Sequence, residues 1–424
     1  MAEMKESGTT WFGMIPKDWE LSKISSIYEL RTQKVSDKDY PPLSVTMNGI
    51  VPQLDSAAKT NAHDDRKLVK RGDFAINSRS DRRGSCGVSE YDGSVSLINT
   101  VMKPRDEINP DYYNWLFHTI QFADEFYKWG HGIVDDLWTT NWQDMKHIDI
   151  PVPTLDEQKV IADYLNKAIP EIDALHTDIE KQIETLEEYK KSIITEAVTK
   201  GLDPDVEMED SGISYIGNIP KHWKVTNLKY LGKCQNGISK GGEYFGNGFP
   251  FVSYGDVYKN YSLPQNVDGL IMSTKTEQNI YSVKYGDVFF TRTSETIEEI
   301  GFASTCLKSI DNSVFAGFLI RFRPTSNDLI PEFSKFYFRS NIHRKFFVKE
   351  MNLVTRASLS QNLLGRLPVL LPPLCEQQMI AKNLEKKCSE IDGAIEEKKE
   401  QLDTLEQYKK SLIYEYVTGK KEVK

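Results

Sequence analysis

The chain contains the same ordered set of sequence blocks twice, and this repeat constrains its fold more than any other feature. "LEEYKKSIITEAVTKG" (Leu186–Gly201) returns as "LEQYKKSLIYEYVTGK" (Leu405–Lys420), with ten of sixteen positions identical. Upstream, "IPKDW", "VKRGD" and "PTLDEQKVIADYL" return as "IPKHW", "VKYGD" and "PPLCEQQMIAKNL", at offsets of 204, 214 and 219 residues. The sequence between these blocks is barely similar. We therefore predict two variable bodies, each followed by a similar tail.

The bodies are predicted to be mixed, and the tails helical. Strand-forming runs such as "DVFFTRT" stand beside amphipathic runs such as "PEFSKFYFRSNIHRKFFVKE". We predict an α+β fold in which two similar α/β domains are separated by a pair of long antiparallel helices. The predicted boundaries are 1–152 for the first domain, 153–200 for a spacer helix, 201–214 for an acidic linker, 215–371 for the second domain and 372–424 for the C-terminal helix.

The tails carry a coiled-coil pattern. Apolar residues recur every seven positions, which predicts a helix-pair seam. The predicted seam residues are Leu165, Ile172, Ile179, Leu186, Leu405 and Leu412. Lys398 interrupts the second seam, and Pro170 can kink the first helix. Such a stripe is most simply the core between two helices.

The length of the linker favours antiparallel helices. An unbroken helix over residues 156–200 would be roughly 67 Å long. The linker of 14 residues spans about 50 Å at most. A parallel pair would require the chain to return along the whole helix before the second body begins. We therefore expect an antiparallel pair and an approximate two-fold relation between the halves.

Composition limits the class of protein. Of the 424 residues, 39% are hydrophobic, and no apolar run is long enough to span a membrane. The five cysteines are scattered without a zinc-ligand spacing, as in a protein of a reducing compartment. These features favour a cytoplasmic protein. The net charge of −9 comes from the tails and linker, which sum to −11 and leave about +2 for the remaining segments.

The repeated blocks resemble the specificity subunit of type I restriction–modification enzymes. The resemblance is carried by both Ile-Pro-Lys-x-Trp blocks, both Glu-Gln blocks and both Leu-Glu-x-Tyr-Lys-Lys-Ser endings. It implies that each body is a target recognition domain for one half of a bipartite, asymmetric site in double-stranded DNA. It implies that the helices set the spacing and dock two methyltransferase subunits. It also implies that S-adenosylmethionine belongs to those subunits, that ATP and Mg belong to restriction subunits, and that this chain has no catalytic site.

The variable bodies offer DNA-binding candidates by chemistry alone. Arginine is the best bidentate reader of guanine and a good phosphate clamp. Polar loops after predicted strands supply the candidates Arg79, Arg82, Arg83, Arg292, Thr293 and Ser294. A glycine-rich loop supplies Lys240, and "LVTRASLS" supplies Arg356. Each of these residues can equally be an ordinary solvated loop residue.

Two further interpretations remain open at the level of sequence. Tyr189, Lys190, Tyr408 and Lys409 can bind partner subunits or simply finish their helices. "NPDYY" (Asn109–Tyr113) faintly resembles an amino-methyltransferase motif, but Asp111 replaces a proline, and Asn-Pro commonly starts a helix. The alternatives to a DNA-reading subunit are a stand-alone DNA methyltransferase or nuclease and a non-catalytic coiled-coil scaffold.

Overall fold

The computed structural model describes residues 3–54, 63–79, 82–133, 138–294, 299–350 and 357–423. The chain forms two compact units. Unit 1 contains residues 1–180 together with 399–424, and unit 2 contains residues 181–398. Each unit therefore contains one variable body and parts of two long helices.

Unit 1 is built largely from short strands. The strands are β1 (Met4–Glu6), β2 (Met14–Pro16), β3 (Glu20–Lys23), β4 (Tyr28–Leu30), β5 (Lys34–Val35), β6 (Leu43–Thr46), β7 (Gly49–Pro52), β8 (Arg66–Val69), β9 (Phe74–Asn77), β10 (Cys86–Val88), β11 (Gly93–Val95), β12 (Asn99–Pro104) and β13 (Asp149–Val152). The helices are α1 (Ile24–Ile27), α2 (Pro110–Phe117), α3 (Ile120–Lys128), α4 (Trp142–Met145) and the first part of α5 (Leu155–Lys200).

Unit 2 also consists of short strands and helices. Its strands are β14 (Met208–Asp210), β15 (Asn218–Pro220), β16 (Lys224–Asn227), β17 (Gly232–Asn236), β18 (Phe245–Val252), β19 (Leu270–Ile271), β20 (Val288–Thr291), β21 (Thr293–Ser294), β22 (Ala303–Thr305), β23 (Val314–Phe315), β24 (Leu319–Pro324), β25 (Ala357–Ser358) and β26 (Pro368–Leu371). The helices are the second part of α5, α6 (Tyr254–Lys259), α7 (Lys275–Ile280), α8 (Pro331–Tyr337), α9 (Ile342–Glu350), α10 (Gln361–Gly365) and the first part of α11 (Leu374–Val417), whose last part belongs to unit 1. There are also 3-10 turns at 228–230 and 242–244.

Each body contains a four-stranded antiparallel sheet, and the two sheets have the same strand arrangement. The strand order is β10-β9-β12-β4 in unit 1 and β22-β20-β24-β17 in unit 2. The strands β9 and β20 are buried along their whole length. Two two-stranded sheets also recur, β1-β2 and β3-β13 in unit 1 as β14-β15 and β16-β26 in unit 2. The remaining small sheets differ, which agrees with the weak sequence similarity of the segments between the repeated blocks.

The repeated Val-Lys-x-Gly-Asp block is the turn that leads into the shared central strand. Gly72 and Gly286 have positive φ angles of 86° and 88°, which favour glycine. The following carboxylates, Asp73 and Asp287, are buried, and each accepts a hydrogen bond at 2.8 Å from the backbone N–H of the lysine in its block. An arginine neutralises each of these carboxylates, so the buried charge is paired.

The long helices run antiparallel within each unit. In unit 1, Leu165 of α5 and Leu412 of α11 share a core, and Asp173 lies 2.5 Å from Lys409. In unit 2, Ile194 and Val198 of α5 pack in one core with Ile380 and Leu384 of α11. As residue numbers rise along α5, those of its partners on α11 fall. The antiparallel arrangement expected from the linker is therefore present in both units.

The predicted seam is buried to different degrees. Leu165, Ile179 and Leu412 are buried, whereas Ile172, Leu186 and Leu405 are half-buried. In the neighbouring register Leu175 and Tyr189 are about half exposed, so the second half of an ideal heptad seam is absent there. Lys398, which interrupts the pattern, donates to Gln182 Oε1 at 2.5 Å. A polar pair at such a position fixes the register of two helices.

The structure bears on two predictions about helices, the kink at Pro170 and the helix start at Asn109. The helix α5 continues through Pro170, which is exposed. Asn109 caps α2, because its side chain accepts a hydrogen bond from the backbone N–H of Tyr112 at 3.0 Å, and Pro110 is the first helical residue. The Asn-Pro start is therefore a structural cap rather than part of a methyltransferase motif.

Candidate nucleic-acid interface

The repeated Trp and Glu-Gln blocks attach each body to the start of a long helix. Trp19 Nε1 donates to Glu157 Oε1 at 3.1 Å, and Trp223 Nε1 donates to Glu376 Oε2 at 3.0 Å. The neighbouring glutamine side chains, those of residues 158 and 377, accept from the backbone N–H groups of residues 109 and 330, which precede α2 and α8. The shared motifs therefore hold the architecture, and the candidate contact residues lie in the variable loops.

Loop A, which we define as residues 78–85, follows β9 in unit 1. Arg79 is exposed, and its backbone N–H donates to Asn77 Oδ1 at 3.0 Å. Arg82 is also exposed, and its backbone carbonyl accepts from Ser85 N at 3.0 Å. These backbone bonds hold a turn in which the side chains of Arg79 and Arg82 are exposed.

The charge of Arg83 in loop A is balanced by a carboxylate. Its guanidinium forms an ion pair with Asp124 of α3 and lies 5.7 Å from the centre of the Tyr127 ring. Both members of the ion pair are about half exposed. Arg83 therefore anchors loop A to α3, and it could contact DNA only by exchanging this ion pair.

Residues 138–140 form a second segment that supports loop A, and no motif in the sequence marked it. Arg79 forms an isolated antiparallel bridge with Thr139, and Thr140 N donates to Ser78 O at 2.9 Å. The indole of Trp138 stacks on Tyr127 at 5.7 Å and donates to its carbonyl at 2.9 Å. The signal available in the sequence was the position of this segment, directly after the amphipathic helix α3.

Loop B, which we define as residues 292–302, follows β20 in unit 2 at the place equivalent to loop A. Arg292 is half-buried, and its backbone carbonyl accepts from Leu359 N at 2.7 Å. Thr293 and Ser294 form β21, which pairs with β25 in the segment that follows α9. The same two connections, one after a central strand and one after a helix, therefore meet in both units.

Other predicted residues of unit 2 have different surroundings. The Ser294 hydroxyl donates to Glu299 Oε2 at 3.3 Å, and the Tyr258 hydroxyl donates to Oε1 of the same carboxylate at 2.9 Å. This contact between Glu299 of loop B and the hydroxyl of Tyr258 was not predicted from the sequence. Arg356 lies outside the described residues, as do residues 295–298.

Lys240 makes an ion pair within unit 2. Its ammonium group lies 2.8 Å from Glu277 Oε2 and 2.8 Å from the carbonyl oxygen of Met272, and 5.0 Å from the centre of the Tyr244 ring. The hydrogen bond from Lys240 lowers the pKa of Glu277 to about 2. The carboxylate of Glu277 is therefore charged at neutral pH, and its bond to Lys240 fixes the glycine-rich loop to α7.

The loop of Lys240 and loop B meet across one short segment. Ile238 N donates to Phe315 O at 2.9 Å, and a guanidinium nitrogen of Arg292 lies 3.4 Å from Gly317 O. A Cβ atom on Gly317 would come within 2.3 Å of Ser239 Oγ, which shows how closely the chains approach. Candidates more than fifty residues apart in sequence thus belong to one surface of unit 2.

The predicted partner-binding residues divide into two kinds. Lys190 Nζ lies 2.6 Å from both carboxylate oxygens of Asp392, and Lys409 is paired with Asp173 in the same way across the helices of unit 1. Tyr189 and Tyr408, by contrast, are 53% and 49% exposed. The lysines therefore stabilise the helix pairs, and the tyrosines remain available to a partner.

Further exposed apolar residues recur at equivalent positions of the two helices. Leu155 and Leu374 are 40% and 46% exposed, and Val160 and Met379 are 49% and 57% exposed. Each pair is separated by 219 residues, the same offset that relates Tyr189 to Tyr408. Each long helix thus presents three large apolar side chains at matching positions.

Metal-binding clusters and membrane-spanning helices are absent from the described part of the chain. No group of three or more His, Cys, Asp or Glu side chains in it could hold a metal ion. Among the same residues, no helix combines the length and apolar character that crossing a bilayer requires.

Comparison with known proteins gives a consistent family. The model of the type I restriction modification DNA specificity domain matches residues 16–185 and 220–407. The putative type I restriction enzyme MjaX specificity subunit of Methanocaldococcus jannaschii is 27% identical, over 98% of this chain and 96% of the relative. The MjaVIII specificity subunit of the same organism is 26% identical, over 97% and 94%.

Solved structures share the fold. A chain from a study of complex assembly and conformational transition of the type I R-M system superposes with a TM-score of 0.72 at 14% identity, covering 96% of this chain and 99% of that one. The HsdS subunit from Thermoanaerobacter tengcongensis gives a TM-score of 0.53 at 15% identity, covering 96% and 98%.

Proposed function

The chain belongs to the family of type I restriction–modification DNA specificity domains, and from this premise we propose that it is the DNA-reading subunit of a type I restriction–modification complex. Each unit binds one half of a bipartite, asymmetric DNA sequence. The observation that carries this proposal is the common position of loops A and B. The two bodies differ in sequence between the repeated blocks, yet each has a polar, arginine-containing loop at the end of the equivalent buried strand.

Base reading is assigned to Arg79 of loop A and to the first three residues of loop B. Arg79 is exposed at the edge of loop A, where a guanidinium can donate two hydrogen bonds to guanine or clamp a phosphate. In unit 2, Arg292, Thr293 and Ser294 supply donors and acceptors for a base edge. Arg83 and Lys240 contribute less, because each is already paired with a carboxylate. Arg82 and Arg356 remain predictions.

The exposed apolar positions on the helices serve as docking surfaces for two methyltransferase subunits. Aromatic residues and methionine are enriched at protein interfaces, and the repeated set contains Tyr189, Tyr408 and Met379. Because the set occurs twice, it fits two copies of one partner. Those subunits use S-adenosylmethionine to methylate adenine, and restriction subunits that use ATP and Mg can join them. This chain itself holds no cofactor and selects the sequence.

Methylation mapping tests the reading function. Cells that express the chain with its methyltransferase subunit should carry adenine methylation at one split sequence, and cells without the chain should lack it. Arg79→Ala should relax or abolish recognition in one half of that sequence, and Arg292→Ala in the other half. Lys146→Ala, which removes a half-buried cation that donates to Gln143, is the control. Methylation that does not depend on the chain would overturn the proposal.

Co-purification tests docking in the same system. Tyr189→Ala combined with Tyr408→Ala should reduce the amount of methyltransferase subunit recovered with the chain. Leu175→Ala is the control, because Leu175 is 49% exposed on the same helix but corresponds to Ala394 in the second helix. Equal recovery with the double tyrosine variant would remove these residues from the interface.

A further inference from the structure

An exposed apolar residue stands beside the candidate loop in both units. In unit 2 a turn formed by residues 316–319 closes with a hydrogen bond from Leu319 N to Ala316 O at 3.0 Å, and Phe318 at its corner is 65% exposed. In unit 1 the turn of residues 96–99 closes with Asn99 N to Ser96 O at 3.0 Å. Its corner residues, Leu97 and Ile98, are 39% and 38% exposed. Both turns lead directly into the equivalent strands β24 and β12.

Each turn is fixed to its candidate loop by an equivalent hydrogen bond. Arg292 N donates to Phe318 O at 2.9 Å, and Ser78 N donates to Ile98 O at 3.2 Å. The donors are the first residues of loop B and loop A. The guanidinium of Arg292 also reaches Gly317 O. Phe318 and Ile98 are therefore at structurally equivalent positions, held at the edge of the surfaces assigned to DNA.

The backbone around Phe318 is anchored firmly. Phe315 and Ala316 before it and Leu319 and Ile320 after it are buried in the core of unit 2. The side chain thus projects from a rigid corner rather than from a loose loop. The corners of turns are usually occupied by Gly, Asn, Asp or Ser, so phenylalanine there gains nothing from the turn itself.

A single exposed apolar residue needs no explanation, since folded proteins have many. An explanation is needed because the exposed apolar residue occurs at the same place in both units. The two bodies have little sequence in common between the shared blocks, yet both place a large apolar side chain at the same corner, bonded to the same loop. A requirement of folding would be met by a polar residue, so the common feature indicates a common ligand.

We propose that Phe318 and Ile98 are apolar wedges that enter the DNA duplex and partly unstack one base step in each half of the recognition sequence. This inference rests on the proposed function. Proteins that bend DNA insert Phe, Leu or Ile between base pairs while neighbouring cations hold the backbone. Arg292 beside Phe318, and Arg79 next to the Ser78 that bonds Ile98, supply such cations. Each unit then reads not only base edges but also how readily a step opens, which is easiest at pyrimidine–purine steps.

Fluorescence of 2-aminopurine tests the wedge. The probe is a duplex carrying the split sequence found by methylation mapping, with 2-aminopurine placed at one position at a time. The methylated adenine is left unlabelled, so that base flipping does not contribute. Binding by the full chain with its methyltransferase subunits should raise the fluorescence at one step in each half. Phe318→Ala should abolish the rise in one half only, and Ile98→Ala in the other half only.

Affinity for the same duplex supplies a second readout. Phe318→Ala should weaken binding roughly 10-fold to 100-fold, the range expected when an aromatic contact to bases is lost. Phe318→Leu should restore much of the affinity and of the fluorescence rise. Tyr230→Ala is the matched control, because Tyr230 is 68% exposed in the same unit and packs against Lys229 rather than a candidate loop. Unchanged thermal unfolding of each variant establishes that it is folded.

The outcomes separate this inference from the proposed function. If the wild-type complex methylates and binds the split sequence but no position brightens, the wedge is wrong and the reading function stands. The same conclusion follows if Phe318→Ala binds as tightly as the wild type, or binds weakly with the fluorescence rise intact. If the wild-type chain directs no sequence-specific methylation, the proposed function itself has failed.

Discussion

At the scale of single residues, His343 is the most perturbed histidine of unit 2. It is 3% exposed, its Nε2 donates to Tyr337 O at 2.8 Å, and its ring lies against Tyr337 and Phe338. Burial, and then the positive charge of Arg344, lower the pKa of His343 to about 3. The imidazole is therefore neutral in the folded protein at any pH well above 3.

This shift predicts how the stability of unit 2 depends on pH. Below about pH 6.5 the unfolded chain protonates His343, whereas the folded chain stays neutral down to about pH 3. Protonation therefore favours unfolding in this window, and His343 alone should cost roughly 1.4 kcal/mol of unfolding free energy per pH unit. His343→Gln should lack this contribution, so its deficit relative to the wild type should shrink as pH falls from 7 to 5.

Urea unfolding monitored by hydrogen exchange of peptides from α8 and α9 measures this effect. His63→Gln is the control, because the side chain of His63 is 61% exposed and bonds Asp37 at the surface of unit 1. Parallel pH profiles for His343→Gln and the wild type would contradict the prediction.

At the scale of elements, the long helices show how a sequence repeat becomes a packing repeat. Lys190 pairs with Asp392 in unit 2, and Lys409 pairs with Asp173 in unit 1. Both the lysines and the aspartates are related by 219 residues, so the same contact forms twice with the roles of the helices exchanged. Each ion pair is partly exposed and contributes at most about 1 kcal/mol. The buried apolar contacts carry most of the helix pairing.

Pro170 offers a test of helix energetics. It lies inside α5 on the exposed side, where it lacks the N–H that would bond the carbonyl of Asn166. Pro170→Ala should raise the unfolding free energy of unit 1 by roughly 1–3 kcal/mol. Pro110→Ala is the matched control, since Pro110 occupies the first position of α2, where proline is tolerated. Urea unfolding of the two variants compares them, and a destabilised Pro170→Ala variant would show that unit 1 depends on the proline.

At the scale of the whole molecule, unit 1 is completed by the end of the chain. Leu412, Tyr416 and Val417 are buried in its core. The hydroxyl of Tyr112 donates to Val417 O at 2.8 Å across 305 residues of sequence. In unit 2 the corresponding place is taken by the end of α5, where Ala197 and Val198 are buried. The core of unit 1 is thus completed by the end of α11, and the core of unit 2 by the end of α5.

Deletion of residues 399–424 should therefore unfold a region remote in sequence. Loss of three large buried side chains should cost unit 1 roughly 5 kcal/mol or more. Hydrogen exchange should show lost protection in peptides from α2 and α3, while peptides from α8 and α9 of unit 2 remain protected as the internal control. Uniform loss of protection in both units, or in neither, would contradict this assignment of the chain ends.

The sequence by itself determined the tandem organisation, the α+β class, the antiparallel helices and the family. These conclusions depend on local patterns, namely block order, heptad spacing and linker length, which are visible in the sequence without any knowledge of tertiary contacts. It also pointed to the loops that follow β9 and β20, because a polar arginine-containing run after a buried strand is a local signal.

Only the tertiary structure decided which side chains in those loops are available. Arg83 and Lys240 look like free cations in sequence, but Asp124 and Glu277, each 37 residues or more away, neutralise them. Only the fold places Phe318 next to Arg292, the first residue of loop B, and Ile98 next to Ser78, the first residue of loop A. Ion pairing and exposure depend on contacts distant in sequence, and a local pattern carries no information about them.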